Sequence, residues 1–265
     1  MDPFGRLPAV PRPRKRVPNT FEGLVELLKQ ARTVTALTGA GISTASGLPD
    51  FRSEGGMWEN TDPMRECSLS AFHRDEVRFW RFYQDRLAGY DGVKPNAAHQ
   101  ALVDLERIGK LRWVLTQNVD GLHQQAGSSR VVELHGSPRT VSCLQCCHRV
   151  SWDEAMALRN PDGVPRCPHG HPMKPDVVLF EERLASEPFQ RAHLALASSD
   201  VLLCLGTSLV VHPVAGLPAL MRRGGGDVVI ITASETPEDE LAEIKLTDPL
   251  EDVLPAATAA LTDAR

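Results

Sequence analysis

The chain has 265 residues, 42% of them apolar and 24% charged, the balance of a water-soluble protein with a sizeable core. A net charge of −5 at pH 7 argues against nucleic-acid partners, which need a positive surface to displace phosphate counterions. The longest apolar runs, residues 201–206 and 228–231, are too short for a membrane-spanning helix, so no membrane partner is expected.

Residues 1–18 are rich in proline and basic residues and lack the apolar stretch of a secretory signal, which predicts a flexible tail. The segment "NTFEGLVELLKQA" predicts a helix with Asn19 as N-cap, Glu22 three residues later, and Phe21, Leu24, Val25 and Leu28 on one face. A short β-branched run, "TVTAL" (33–37), then ends at the glycines of "LTGAGISTASGLPDFR" (37–52). Gly39 and Gly41 would permit a tight turn and bring backbone N–H groups to a diphosphate. Alone this is a weak signal: Thr44 stands where a dinucleotide fingerprint has its third glycine.

Residues 53–92 read as helical and polar, and "NAAHQALVDLERIG" (96–109) as a helix closed by Gly109. "LRWVLTQ", "VVEL", "DVVLF", "VLLCLG" and "DVVIIT" read as strands buried on both faces, with helices around 186–198 and 214–223 between the later ones. Apolar strands alternating with helices predict an α/β fold, a doubly wound Rossmann-like parallel sheet. Residues 53–92 and 140–175 interrupt that rhythm and read as a helical insertion and a zinc ribbon forming a smaller lobe. Residues 19–52, 93–139 and 176–262 would then make the Rossmann-like sheet domain, with the ligand in the cleft between lobes.

Cys143 and Cys146 form a CxxC, and Cys167 follows after twenty intervening residues. That spacing fits a structural zinc site, which needs four donors. His169 is the preferred fourth ligand, with His171 and Cys147 as alternatives. Clustered cysteines in a chain of this length suit a reducing compartment, which points to the cytoplasm.

The segments "GAGIS", "SGLPDFR", "TQNVDGLH" (116–123), "LHG" (134–136), "PDVVLF" (175–180) and "GTSLVVHP" (206–213) together resemble the sirtuin family of NAD-dependent protein deacylases, in family order and spacing. Short tails suit a bacterial member better than a nuclear one. The resemblance implies that NAD is a consumed cosubstrate rather than a hydride carrier, and that zinc braces the small lobe. It places Gly39, Ala40, Gly41, Asp50, Phe51 and Arg52 over the NAD diphosphate and nicotinamide ribose. Phe51 would shield the sugar once nicotinamide leaves. Gln117 and Asn118 would serve the ribose and water, Asp120 the carboxamide, and Gly206, Thr207 and Ser208 the phosphates. Thr232 stands where the family has an asparagine on the adenosine ribose, and is shorter.

His135, within "LHG", is implied as the general base that activates a ribose hydroxyl, with Asn118 assisting; imidazole titrates near working pH. The family reaction would release free lysine, nicotinamide and 2′-O-acyl-ADP-ribose. Tyr83 and Arg86 share a helix face and match the Tyr-x-x-Arg by which one sirtuin subgroup holds succinyl- or malonyl-lysine. Asp50, where that subgroup has threonine, argues the other way. Val177, Val178, Leu179 and Phe180 would pair with the acyl-lysine peptide as an added strand; Glu181 follows where the family has glycine. A protein mono-ADP-ribosyltransferase on the same site, or a non-enzymatic NAD- or zinc-binding module, are the rival readings. A monomer is expected.

Overall fold

The structure, a computed structural model, describes residues 16–59 and 61–262. Most of the expected tail, with Arg12, Arg14 and Lys15, lies outside the described residues.

The first helix, α1, runs Phe21–Gln30 and buries Leu24, Val25, Leu27 and Leu28 against the core. Its N-cap is Thr20, whose hydroxyl accepts the Gly23 N–H at 3.2 Å, and not Asn19 as expected. A side-chain cap must reach the second or third helical N–H. With Phe21 opening the helix, that residue is Thr20. Asn19 is instead drawn away to accept the N–H of Lys245 at 2.8 Å.

The strand β1 (Val34–Thr38) is fully buried and lies at the centre of a six-stranded sheet. On one side it pairs with β2 (Leu111–Thr116) and then β3 (Val131–Glu133). On the other side lie β7 (Val201–Leu205), β8 (Asp227–Ile231) and β9 (Ile244–Leu246). The order β3-β2-β1-β7-β8-β9, parallel throughout, is the doubly wound arrangement the strand pattern predicts. The strand order reverses between β1 and β7, so a crevice opens at their carboxyl ends.

Helix α5 (Ala97–Arg107) shows how the sequence aims that crevice. Asn96 caps it through Oδ1, accepting from Ala98 and His99, while its Nδ2 donates to the Ile42 carbonyl at 2.8 Å and to Ser46 at 3.0 Å. One side chain thus starts a helix and pins the loop after β1.

The smaller lobe has two parts. The insertion carries α2 (Pro63–Glu66), α3 (Leu69–Arg74) and α4 (Glu76–Ala88). The second part is an antiparallel sheet, β5-β4-β6, made of β4 (Gly136–Cys143), β5 (Arg149–Ser151) and β6 (Met173–Val177). Phe79, Trp80 and Tyr83 of α4 pack with Val141, Cys143, Val164, Met173 and Leu179 in one cluster, which joins the two parts. "DVVLF" is therefore not a strand of the parallel sheet. Its first two residues end β6 and the rest form a loop, because an apolar run looks alike whether sheet or lobe buries it. Among the described residues no helix is long and apolar enough to cross a membrane.

Candidate active site

A cleft of about 1120 Å3 opens between the parallel sheet and the smaller lobe. It is lined by Gly39, Ala40, Gly41, Asp50, Phe51, Arg52, Gln117, Asn118, Asp120, His135, Gly206, Thr207, Ser208 and Thr232, and also by Tyr83, Arg86 and residues 177–180. Side chains from seven separate stretches of sequence thus meet in one place. Its size suits a dinucleotide with a further group beside it.

The glycines of the first loop serve a purpose the sequence alone did not suggest. A Cβ at Gly39 would lie 2.7 Å from the Gly206 carbonyl, and one at Gly41 2.8 Å from Gly206 Cα. Gly206, at φ 58°, is equally confined by Ile42 and Gly41. These residues let the loops after β1 and β7 touch. The N–H groups of Gly39 and Gly41 are spent on the Leu205 and Gly206 carbonyls. No protein acceptor among the described residues meets the N–H of Ala40, which opens the short 3-10 turn Ala40–Ile42 and remains for an anion.

On the floor, polar groups order one another. Gln117 Nε2 donates to Thr207 Oγ1 at 2.8 Å. Asn118 Nδ2 donates to the Gly39 carbonyl at 3.1 Å and to Ser43 Oγ at 3.2 Å, and Ser43 donates to Asp120 Oδ2 at 2.8 Å. Asp120 Oδ1 also accepts the Leu122 N–H that opens α6 (Leu122–Ala126). Ser43 was missed as a site residue, although it closes the quoted "GAGIS".

His135 lies between β3 and β4. Its Nδ1 is 3.2 Å from the Gln117 carbonyl. A carbonyl only accepts, so Nδ1 carries the proton and Nε2 keeps a free lone pair. Burial pushes the His135 pKa below its ordinary value, partly opposed by that hydrogen bond. The result is a neutral imidazole on the cleft wall. His135 is outside the thiol cluster.

Over the cleft, Phe51 stacks on Trp58 with centroids 5.1 Å apart. Asp50 holds this loop together: its Oδ1 accepts from the N–H of Arg52 and Ser53 and from the Ser53 hydroxyl. Its observed contact is therefore with the loop itself. Arg52 reaches Ser208 Oγ at 3.5 Å, and burial lowers its pKa against the raising effect of Asp50.

At the lobe side, Arg86 lies over the Phe51 ring at 5.1 Å and donates to the Tyr90 hydroxyl at 3.2 Å. It makes no ion pair among the described residues. Tyr83 and the thiol of Cys67 complete this corner; burial raises the Cys67 pKa to about 11, with Arg86 and Tyr83 acting against that rise. Cys67 and Tyr90 were not anticipated, since neither stands in a quoted motif.

In the loop after β6, most backbone groups of the segment expected to pair with the peptide, residues 177–180, have partners within the chain. The N–H groups of Val178, Leu179 and Phe180 go to His135 O, Glu182 Oε2 and Cys67 O, at 2.8, 2.8 and 2.9 Å. The Leu69 N–H donates to the Phe180 carbonyl at 3.0 Å, and the buried Lys174 ammonium reaches the Val177 carbonyl at 2.9 Å. The carbonyl of Val178 is left. Strand addition along 177–180 would find few free groups.

The sulfurs of Cys143, Cys146 and Cys167 lie within 4.8 Å of one another. Burial alone would raise the Cys167 thiol, but backbone N–H groups of His169 and His171 with the neighbouring thiols bring it down to about 7. Three converging thiols, one favoured as thiolate, fit zinc. Neither His169, His171 nor Cys147 joins them at that distance. The chain turns back at once after Cys167 through bonds from Gly170 N–H to Cys167 O and from Cys167 N–H to His171 O. His169 is thereby left exposed at the tip.

The Sir2 family profile matches residues 39–213, the span holding most of the cleft lining and the thiol cluster. The chain belongs to the Sir2 family. Among its relatives, an NAD-dependent protein deacetylase of Sulfolobus acidocaldarius is 40% identical over 88% of this chain and 91% of its own length. NAD-dependent protein deacylase 2 of Archaeoglobus fulgidus is 39% identical over 87% and 91%. A solved Sir2 homolog–NAD complex superposes with a TM-score of 0.85 at 34% identity, covering 95% of this chain and 97% of that one. A Sir2 protein with deacetylated p53 peptide and 3′-O-acetyl ADP-ribose gives 0.83 at 32%, covering 92% and 98%. This Sir2-family chain thus shares their mixed α/β fold, and it carries a cysteine cluster suited to zinc.

Proposed function

We propose that the chain is an NAD-dependent protein-lysine deacylase that consumes NAD and passes the acyl group to ADP-ribose. The observation that carries this reading is His135: a neutral imidazole, proton fixed on Nδ1, with Nε2 free on the wall of a cleft large enough for NAD and an acyl-lysine. NAD supplies the electrophilic sugar carbon and the hydroxyls. The protein supplies the base, the order and the cover. His135 Nε2 takes a ribose hydroxyl proton. Asn118, held by Gly39 and Ser43, presents its free oxygen to water or ribose. Ala40 N–H, Arg52, Thr207 and Ser208 meet the phosphates, and Asp120 the carboxamide. Thr232 borders the adenosine end. The three-cysteine site would hold zinc as a brace; none of its sulfurs lines the cleft.

For the acyl group, the cleft favours chains ending in carboxylate. Arg86 offers a planar guanidinium with no acidic partner, facing the same space as Tyr83 and Phe51, and such a group binds carboxylate in two places. An acetyl group would leave that charge unmatched. The protein partner is an acyl-lysine peptide laid along the cleft mouth, using the Val178 carbonyl and groups beyond it. We further propose a division in which residues 19–52, 93–139 and 176–262 serve the nucleotide and the two insertions serve acyl group and zinc. The reading includes a cytoplasmic monomer with no nucleic-acid partner.

Incubation of acetyl-, malonyl- and succinyl-lysine peptides with NAD, read by mass spectrometry, tests the proposal. O-acyl-ADP-ribose and free lysine are expected, fastest with the acidic acyl groups. In Arg86→Ala the acidic substrates lose about ten- to a hundredfold, the value of a charge-assisted hydrogen bond, and acetyl little. Equal loss for all three would dismiss the carboxylate pocket. ADP-ribose attached to protein, without O-acyl-ADP-ribose, would dismiss the deacylase.

A further inference from the structure

Glu181 occupies a backbone conformation that side chains avoid. Its φ is 73°, in the left-handed region where a Cβ crowds the following carbonyl and glycine is at ease. Such strain persists only where surrounding contacts impose it. Here the contacts come from the helical insertion. Ser70 N–H, in the first turn of α3, donates to Glu181 Oε2 at 2.8 Å. Beside it, Leu69 N–H donates to the Phe180 carbonyl and Phe180 N–H to the Cys67 carbonyl. Three residues of the insertion, Cys67, Leu69 and Ser70, are thus stitched to two of the loop after β6.

That seam runs along the acyl corner of the cleft. Cys67 contributes its carbonyl to the seam and its thiol to the contact with Tyr83 and Arg86. Phe180, on the other side, follows residues 177–179 of the cleft wall. If the seam opens, the two walls separate. We propose that Glu181 is a positioning residue, a latch whose carboxylate holds the loop after β6 in register with the insertion and so sets the width of the acyl-lysine channel. The inference rests on the deacylase reading for its substrate, and on the seam alone for its geometry. The hydrogen bond from Ser70 also keeps the Glu181 carboxyl below its ordinary pKa, with the Arg74 charge adding to it.

Three variants separate the bond from the strain. Glu181→Gln keeps an acceptor for Ser70 N–H; Glu181→Gly removes the acceptor and the strain; Glu181→Ala removes the acceptor and keeps the strain. The expected KM for the acyl-lysine peptide is within about twofold of wild type for Gln and raised about fivefold for Gly and Ala, with kcat little changed. Tm should fall for Ala and hold or rise for Gly, since glycine is favoured at positive φ. Amide exchange at Ser70 and Phe180 should quicken in Gly and Ala, and stay slow in Gln. Wild-type KM and exchange in the Gly variant would overturn the latch. So would a Gln variant as impaired as Gly, because the charge rather than the bond would then be at work. Should wild-type protein deacylate no peptide, the deacylase reading fails, while amide exchange still decides the latch.

Discussion

Along β1 and β7 every residue is buried, and along β8 all but Asp227, whereas β4 mixes buried, half-buried and exposed positions, β5 buries none, and the lobe's core ends at thiols. The parallel sheet is held chiefly by apolar burial on two faces. The lobe is too thin for that. It depends on one aromatic cluster, on long-range polar ties such as Arg166 to Glu76 at 3.1 Å, and on whatever the three thiols bind. In the proposed reading the catalytic groups sit on the sheet side, at strand ends, and acyl recognition on the lobe side.

The sharpest break between the two sides concerns His135, which sits where sheet and lobe meet. His135→Ala is expected to lower kcat/KM for deacylation by about 10²–10⁴, the usual worth of a general base. Stability should change by only about 1 kcal/mol, since one hydrogen bond to the Gln117 carbonyl is lost. Product assays and thermal melts on the same samples check it. Near wild-type turnover would remove His135 from the chemistry.

Next in size is the contrast in what sustains each region. Leu203, wholly buried in β7, should cost about 2–5 kcal/mol on truncation to alanine, and the loss should spread through the sheet. Metal removal by a chelator should act on the other region, quickening amide exchange in β4, β5 and β6 while β1, β7 and β8 stay protected. Metal analysis of the starting protein accompanies the test. Even loss of protection in both sheets would mean that the lobe's brace also supports the sheet.

The same contrast explains what the sequence could tell. Continuous apolar runs such as "VLLCLG" and "DVVIIT" have one solution, a strand covered on both faces, so the doubly wound sheet was legible. The strand-end residues Gln117, Asn118 and His135 were legible too, because motifs mark them and the sheet orders them. "DVVLF" was misassigned since burial by a lobe leaves the same trace as burial by helices. Asn19 lost the cap to Thr20 over a bond to Lys245, 226 residues away, and Cys67 and Tyr90 reach the acyl corner by packing alone. No local pattern carries contacts of that range. Asp50 matched a motif, yet three donors from its own loop occupy one of its oxygens.

The finest distinction is among histidines. His99 and His123 lie under the floor, ring centroids 4.9 Å apart, and burial lowers them to about 4 and about 3. His123 Nε2 is 2.9 Å from Thr38 Oγ1; His99 Nε2 and His123 Nδ1 are buried without a partner among the described residues. Both rings are neutral in the fold, whereas unfolded histidines take up protons near pH 6.5. The unfolded chain then binds more protons than the native one, so their contribution is intact above pH 6.5 and drains away as pH falls towards about 4. His135 is lowered as well, so it remains an unprotonated base somewhat below pH 6.5. Initial rates of deacylation should therefore hold as pH drops through 6.5, while Tm already declines. Rates falling with an ordinary imidazole midpoint would place His135 in open solvent. A Tm unchanged down to about pH 4 would mean that the buried pair is solvated or charged within the fold.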